Sequence, residues 1–127
     1  MDTADRAARV LVLGLDPRRV DGPWDPEPVV RAIDEGRAEC AAHGLPVDYC
    51  LVGLDGSDDV PAVITDAVRS RPWECVVIGG GIRHDDALFE RVLNLVHAHA
   101  PGAAIALSGT PTEVYAAAAR HLTEASQ

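Results

Sequence analysis

The sequence contains no lysine, so its eleven Lys or Arg residues are all arginine. This absence excludes a Schiff-base lysine, a lysine general base and a Walker-type lysine on a phosphate. The basic residues are outnumbered by twenty acidic ones, and the net charge is −9. Such a charge disfavours nucleic acids and anionic membranes as partners, because both are bound by clustered positive charge.

Long hydrophobic runs are also absent. No apolar stretch approaches the roughly 18 residues that a membrane-spanning helix needs. The first five residues, MDTAD, carry two aspartates where a secretory signal carries basic residues. We therefore expect a cytoplasmic protein. Its three cysteines, Cys40, Cys50 and Cys75, form no C-x-x-C pair, which predicts buried free thiols rather than disulfides or a zinc site.

Four short apolar segments alternate with four segments that have helical patterning. The predicted strands are 9–15, 47–54, 75–78 and 103–107. The predicted helices begin near Asp25, Ser57, Asp85 and Thr110 and end near His43, before Pro72, before Pro101 and at Leu122. Such alternation predicts parallel βαβ units. We expect one domain over residues 1–127, with a flexible N-terminus at 1–8, built as a three-layer α/β/α sandwich of the flavodoxin-like type with strand order 2-1-3-4.

In such a sheet, ligands bind beyond the carboxyl ends of the strands where the strand order reverses, here between strands 1 and 3. This position brings together loops 16–24 and 79–84 and the end of strand 4. The ligand-binding candidates are therefore Asp16, Trp24, Gly79, Gly80, Gly81, Arg83, His84 and Ser108.

The three consecutive glycines 79–81 allow two interpretations. They are typical of a backbone cradle for a phosphate, but they match neither the dinucleotide nor the P-loop pattern. They are equally typical of a strand exit that needs unusual backbone angles and a close helix approach. The surrounding acidic residues disfavour a phosphate, so the second interpretation is preferred and the identity of any cofactor stays open.

Most acidic residues near this edge stand where helices begin. Asp25, Asp58, Asp59, Asp85 and Asp86 are therefore expected to cap helices rather than to hold Mg²⁺, and no metal site is predicted. Asp16 is different, because it ends a strand well ahead of its helix, and it is the acidic residue with a candidate functional role.

Residues 76–83 (VVIGGGIR) and 88–102 (LFERVLNLVHAHAPG) resemble a group of small uncharacterised bacterial proteins, with similarity over most of residues 9–122. The resemblance implies a flavodoxin-like fold and carries no activity. More distantly, the chain is similar to response-regulator receiver domains. It has glycines 79–81 at the phospho-acceptor position and no lysine, so this likeness extends to the fold and not to phosphorelay.

Three functions are compatible with these features. The first is a binding or regulatory module that takes a small molecule or a protein partner at the ends of strands 1 and 3. The second is a small hydrolytic or metal-assisted enzyme using Ser108, His84 and Asp16 as weak catalytic candidates. The third is a structural homodimer formed through strand 4 and the alanine-rich last helix.

Overall fold

The computed structural model describes residues 8–122, which form a four-stranded parallel sheet with helices on both faces. The strands are β1 (Val10–Leu15), β2 (Val47–Val52), β3 (Cys75–Ile78) and β4 (Ala104–Leu107). The helices are α1 (Glu27–Ala42), α2 (Val60–Arg69), the single turn α3 (Gly80–Arg83), α4 (Asp86–His99) and α5 (Val114–Leu122). Two 3-10 turns, Pro17–Arg19 and Pro111–Glu113, precede α1 and α5.

The strand order is β2-β1-β3-β4, and every adjacent pair is parallel. Val12 of β1 stands opposite Tyr49 of β2 on one side and opposite Val77 of β3 on the other. The predicted flavodoxin-like, three-layer α/β architecture and its strand order are thus confirmed. The reversal of strand order lies between β1 and β3, as expected.

Two apolar layers hold the helices to the sheet. Because successive side chains of a strand point to opposite faces, Leu11 and Leu13 pack in one layer with residues of α2 and α4. Val10 and Val12 pack in the other layer, where α1 and α5 lie. Short apolar strands between amphipathic helices therefore suffice to build both layers.

Local hydrogen bonds explain where the helices begin and end. Asp59 and Asp85 cap α2 and α4 by accepting from the amides of Ala62 and Leu88. The chain leaves α1 through Gly44, two residues after the last helical residue, Ala42. Gly44 has a φ of 69°, a backbone angle that favours glycine. There Gly44 N donates to Ala41 O, and Leu45 N donates to Cys40 O, which is the Schellman pattern.

Several local predictions need correction. Asp58 does not cap α2, because its carboxylate accepts from Gly53 N and from Arg19. The segment after β3 is a helical turn rather than a loop, and the last helix starts as a 3-10 turn at Pro111. The prediction for residues 1–8 lies outside the described residues except at Ala8, which is buried.

All three cysteines carry free thiols. Cys40 and Cys75 are buried as predicted, whereas Cys50 is only half-buried. Burial raises the pKa of each thiol, that of Cys75 to about 11. The thiolate form that reacts or binds metal is therefore disfavoured at neutral pH.

Candidate functional site

A cleft of about 320 Å³ opens at the carboxyl edge of the sheet, on the face covered by α1 and α5. Its floor is formed by the strands and the residues just after them: Val12, Leu13, Gly14, Leu15, Tyr49, Leu51, Gly79, Gly80, Gly81, Ser108 and Gly109. Its walls come from helices and loops: Pro17, Val20, Trp24, Val29, Ile33, His84, Pro111 and Val114. We call this the strand-end cleft; its position is where open parallel sheets bind ligands.

Gly14 makes room for the cleft in the middle of the sheet. Strand alternation turns position 14 to the same face as Val12. A Cβ atom on Gly14 would meet only Leu51 Cδ2, at 3.2 Å, so the space above it is otherwise empty. The adjacent strand, β3, ends at Ile78, and the next residue, Gly79, has no side chain. Gly14 thus leaves a gap between the sheet and the first turns of α1, where Val29 and Ile33 lie.

The walls of the cleft are mainly apolar. Val29 and Ile33 of α1 and Val114 of α5 face it from the helical side. Trp24 closes the outer side while 41% of its surface stays exposed, and its indole N–H donates to Val20 O at 3.1 Å. A largely apolar cavity with an exposed aromatic side chain at its entrance is typical of small-molecule sites.

Two hydroxyls of lining residues are buried without a hydrogen-bond partner. Ser108 is 1% exposed, and its Oγ has none. The buried OH of Tyr49 has none either, and burial raises the pKa of Tyr49 to about 12, so this hydroxyl stays protonated. Since most buried polar groups are partnered, each unpartnered one needs an explanation.

Glycines 79–81 serve close packing. A Cβ on Gly80 would lie 2.5 Å from Gly109 O, and one on Gly81 would lie 3.0 Å from Leu15 Cδ1. The expected close approach is therefore present. The expected unusual backbone angles are not, because the described glycines with positive φ are Gly22, Gly44 and Gly56.

Asp16 is held by arginine instead of facing the cleft. Its carboxylate accepts from Arg18 N at 3.0 Å and from Arg19 Nε at 2.9 Å. Arg19 also donates to Asp58 Oδ2 at 2.8 Å and to Leu51 O at 3.2 Å. The hydrogen bond from Arg19 is the main cause that holds the pKa of Asp16 below its usual range. Arg19 thus ties the loop after β1 to β2 and to the loop after it.

Replacing Arg19 with alanine should lower the melting temperature by several degrees at neutral pH, because Asp16 and Asp58 both lose a cationic partner. Since the pKa of Asp16 is lowered in the folded chain, this stabilisation is present above the ordinary value of about 4 and is lost as the pH falls through the lower folded value. The difference in melting temperature between wild type and variant should therefore shrink below about pH 4, leaving the contribution of the hydrogen bond from Arg19 to Leu51 O.

The matched control is Arg18→Ala. Within residues 8–122, Arg18 forms an ion pair with Glu27 alone, and these side chains are 57% and 46% exposed, so its loss should change the melting temperature little. Equal effects of the two variants, or a difference that does not shrink between about pH 4 and pH 2, would contradict the structural role of Arg19.

The remaining site candidates are placed as follows. Trp24, Gly79, Gly80, Gly81, His84 and Ser108 line the strand-end cleft, whereas Asp16 and Arg83 do not. Arg83 is half-buried, and its buried Nε has no partner. Ser108 and His84 share the cleft, but no hydrogen bond joins them, and Asp16 is engaged by Arg19. The structure therefore does not assemble these three residues into a catalytic triad.

Sequence reasoning missed the residues that give the cleft its chemistry. The sequence pattern predicts Gly14 and Tyr49 only as members of strands. It predicts Val29 and Ile33 only as apolar residues of the first helix. One signal was available: glycine is unfavourable inside a strand and often marks a close approach by a ligand or another backbone. Gly14 stands inside β1.

Comparisons with known proteins find no matching family model, no similar curated protein and no similar solved structure. The resemblance to a bacterial group accordingly stays a prediction. Within residues 8–122, no helix is long and apolar enough to cross a bilayer. In the same part of the chain, no three His, Cys, Asp or Glu residues are grouped so that they could hold a metal ion.

Proposed function

We propose that this chain is a small binding or regulatory module that takes a small molecule in the strand-end cleft, at the carboxyl ends of β1 and β3. The observation that carries the proposal is the mainly apolar cleft of about 320 Å³ with two unpartnered buried hydroxyls. This volume falls at the lower end of the roughly 300–1,000 Å³ of ligand sites. A cytoplasmic location, where the three thiols stay reduced, belongs to the same proposal.

A hydrolytic function is supported by one feature, the presence of Ser108 and His84 in the same cleft. A serine nucleophile needs a base that takes its proton and a third group that orients the base. Here Ser108 Oγ has no hydrogen-bond partner. The Asp16 carboxylate accepts hydrogen bonds from the backbone N of Arg18 and from the side chain of Arg19, both in its own loop. Binding is therefore the better supported function.

A homodimer through β4 and the last helix has less support on the side of the helix. Ala117 and Ala118 are completely buried within the chain, where they pack against the layer formed by Val77 and Ala106. These small residues are therefore not available for close packing with a second copy, which leaves Ala116 as the exposed member of the group.

A thermal-shift screen tests the proposed function, with Trp24 fluorescence recorded in parallel. The panel contains uncharged apolar compounds, FMN, nucleotides, phosphate and divalent cations. A compound present at 100 times its Kd should stabilise the chain by roughly 2.7 kcal/mol and should change the Trp24 emission. Trp24→Phe identifies the source of the signal: the fluorescence response should be lost, and the thermal shift should be reduced but present, because Trp24 lines the cleft.

Stabilisation only by divalent cations or by phosphate-bearing compounds would contradict the apolar cleft as the site. No stabilisation by any compound would contradict a small-molecule function and would favour a protein partner.

A further inference from the structure

Several of the charged side chains near the strand-end cleft are paired with one another. Arg18 pairs with Glu27, and Arg19 pairs with Asp16 and Asp58. Among the described residues, no aspartate, glutamate or arginine lines the cleft, and His84 lines it as an exposed residue. A charged molecule would therefore lose its hydration in the cleft without gaining a counter-charge. An uncharged molecule needs no counter-charge and would not pay this cost.

Ser108 lines the strand-end cleft and has a buried hydroxyl without a hydrogen-bond partner. Alternation along β4 puts Ala106 in the layer beneath α5, and position 108 faces the same side. Ser108 N is already bonded to Ile78 O, so the backbone amide is satisfied while Oγ is not. A hydroxyl can donate or accept, and it would complement a carbonyl or hydroxyl group on the ligand.

The lining residues also indicate the direction in which the ligand extends. Tyr49 is on the edge strand β2, Gly14 is on β1, Gly79 follows β3, and Ser108 follows the opposite edge strand β4. With strands roughly 4.8 Å apart, the floor runs about 14 Å from the backbone of β2 to that of β4. The side-chain-free positions 14 and 79 lie between these ends.

We propose that the strand-end cleft binds an uncharged, mainly apolar molecule that lies across the strand ends over Gly14 and forms a hydrogen bond with Ser108 Oγ through a carbonyl or hydroxyl group. The proposal rests on the proposed function and specifies the class of ligand. It also explains why a buried hydroxyl has no partner in the free chain.

Three probes of nearly equal size and shape separate the effect of the hydrogen bond from the effect of charge. They are benzylacetone (an uncharged ketone), butylbenzene (which lacks the oxygen) and hydrocinnamate (a carboxylate). Each is titrated into the full chain, with Trp24 fluorescence and melting temperature as readouts. Hydrocinnamate should bind the wild type most weakly, because its carboxylate would lose hydration without gaining a counter-charge.

Ser108→Ala should bind benzylacetone roughly three- to tenfold more weakly, which is the expected effect of one neutral hydrogen bond. It should bind butylbenzene as the wild type does. Its melting temperature should be unchanged or raised, because the substitution removes a hydroxyl that has no partner. The control Ser70→Ala, at the exposed end of α2, loses a bond from Oγ to Ala67 O and should be slightly destabilised with binding unchanged.

Each other result counts against the proposal in a distinguishable way. Equal loss of both uncharged probes in Ser108→Ala, or a lowered melting temperature of that variant, would overturn the role of its hydroxyl while leaving the binding function in place. Tightest binding of hydrocinnamate would overturn the uncharged class. Failure of all three probes to bind the wild type would overturn this inference and the small-molecule function together.

Discussion

Replacing Gly36 with alanine should destabilise the chain by about 1–3 kcal/mol, the usual cost of overpacking a close contact. Gly36 is buried in the middle of α1, where alanine would ordinarily be favoured by about 1 kcal/mol. Here, however, a Cβ would lie 2.1 Å from Pro111 O and 3.1 Å from Pro111 C. Both atoms belong to the backbone, so the helix and the 3-10 turn would have to separate.

Urea unfolding of the variant measures this cost, with Gly102→Ala as the control. A Cβ at Gly102 meets no atom within 4 Å, so that substitution should be nearly neutral. Because Pro111 and Ile33 both line the strand-end cleft, Gly36→Ala should also weaken binding there. A variant as stable as the wild type would contradict the close packing of α1 on this turn.

Filling the strand-end cleft from Gly14 should abolish binding without unfolding the chain. The series Gly14→Ala, Gly14→Val and Gly14→Leu adds side chains of increasing size where only the flexible end of Leu51 is near. Glycine inside a strand is unfavourable by roughly 0.5–1 kcal/mol, so alanine and valine should keep or raise the melting temperature. Affinity for an uncharged apolar probe should fall with each step, by more than tenfold at valine.

Circular dichroism and thermal melts establish that each variant of the series is folded, and titrations then give the affinities. Gly102→Ala again serves as the control and should bind as the wild type does. Unchanged affinity in the folded Gly14→Leu variant would show that the probe binds elsewhere.

The fold was predictable because its signals are local. Apolar strands, Asp59 and Asp85 at helix starts and Gly44 at a helix end act on their own neighbours, and four repeats of strand and helix leave few topologies. The edge of the sheet that carries the site follows from the strand order in the same way. Local patterning was sufficient for both.

The chemistry of the site was not predictable, because it depends on contacts between distant segments. Arg19 pairs with Asp16 three residues away, but it also pairs with Asp58, 39 residues further along the chain. The cleft at the predicted edge is lined mainly by apolar residues that come from separate elements. Likewise, Ser108 Oγ has no hydrogen-bond partner because of the side chains that other segments place around it. The alternation of residues along β4 does not indicate those neighbours.

The most direct test of the central claim is a two-dimensional NMR titration of the labelled chain with benzylacetone. The amide signals of Gly14, Ile33, Gly79, Ser108 and Gly109 should shift together with one dissociation constant, because these residues line the strand-end cleft. Shifts confined instead to Val60, Ile64, Leu88 and Leu95, which line a second groove between α2 and α4, would contradict the claim.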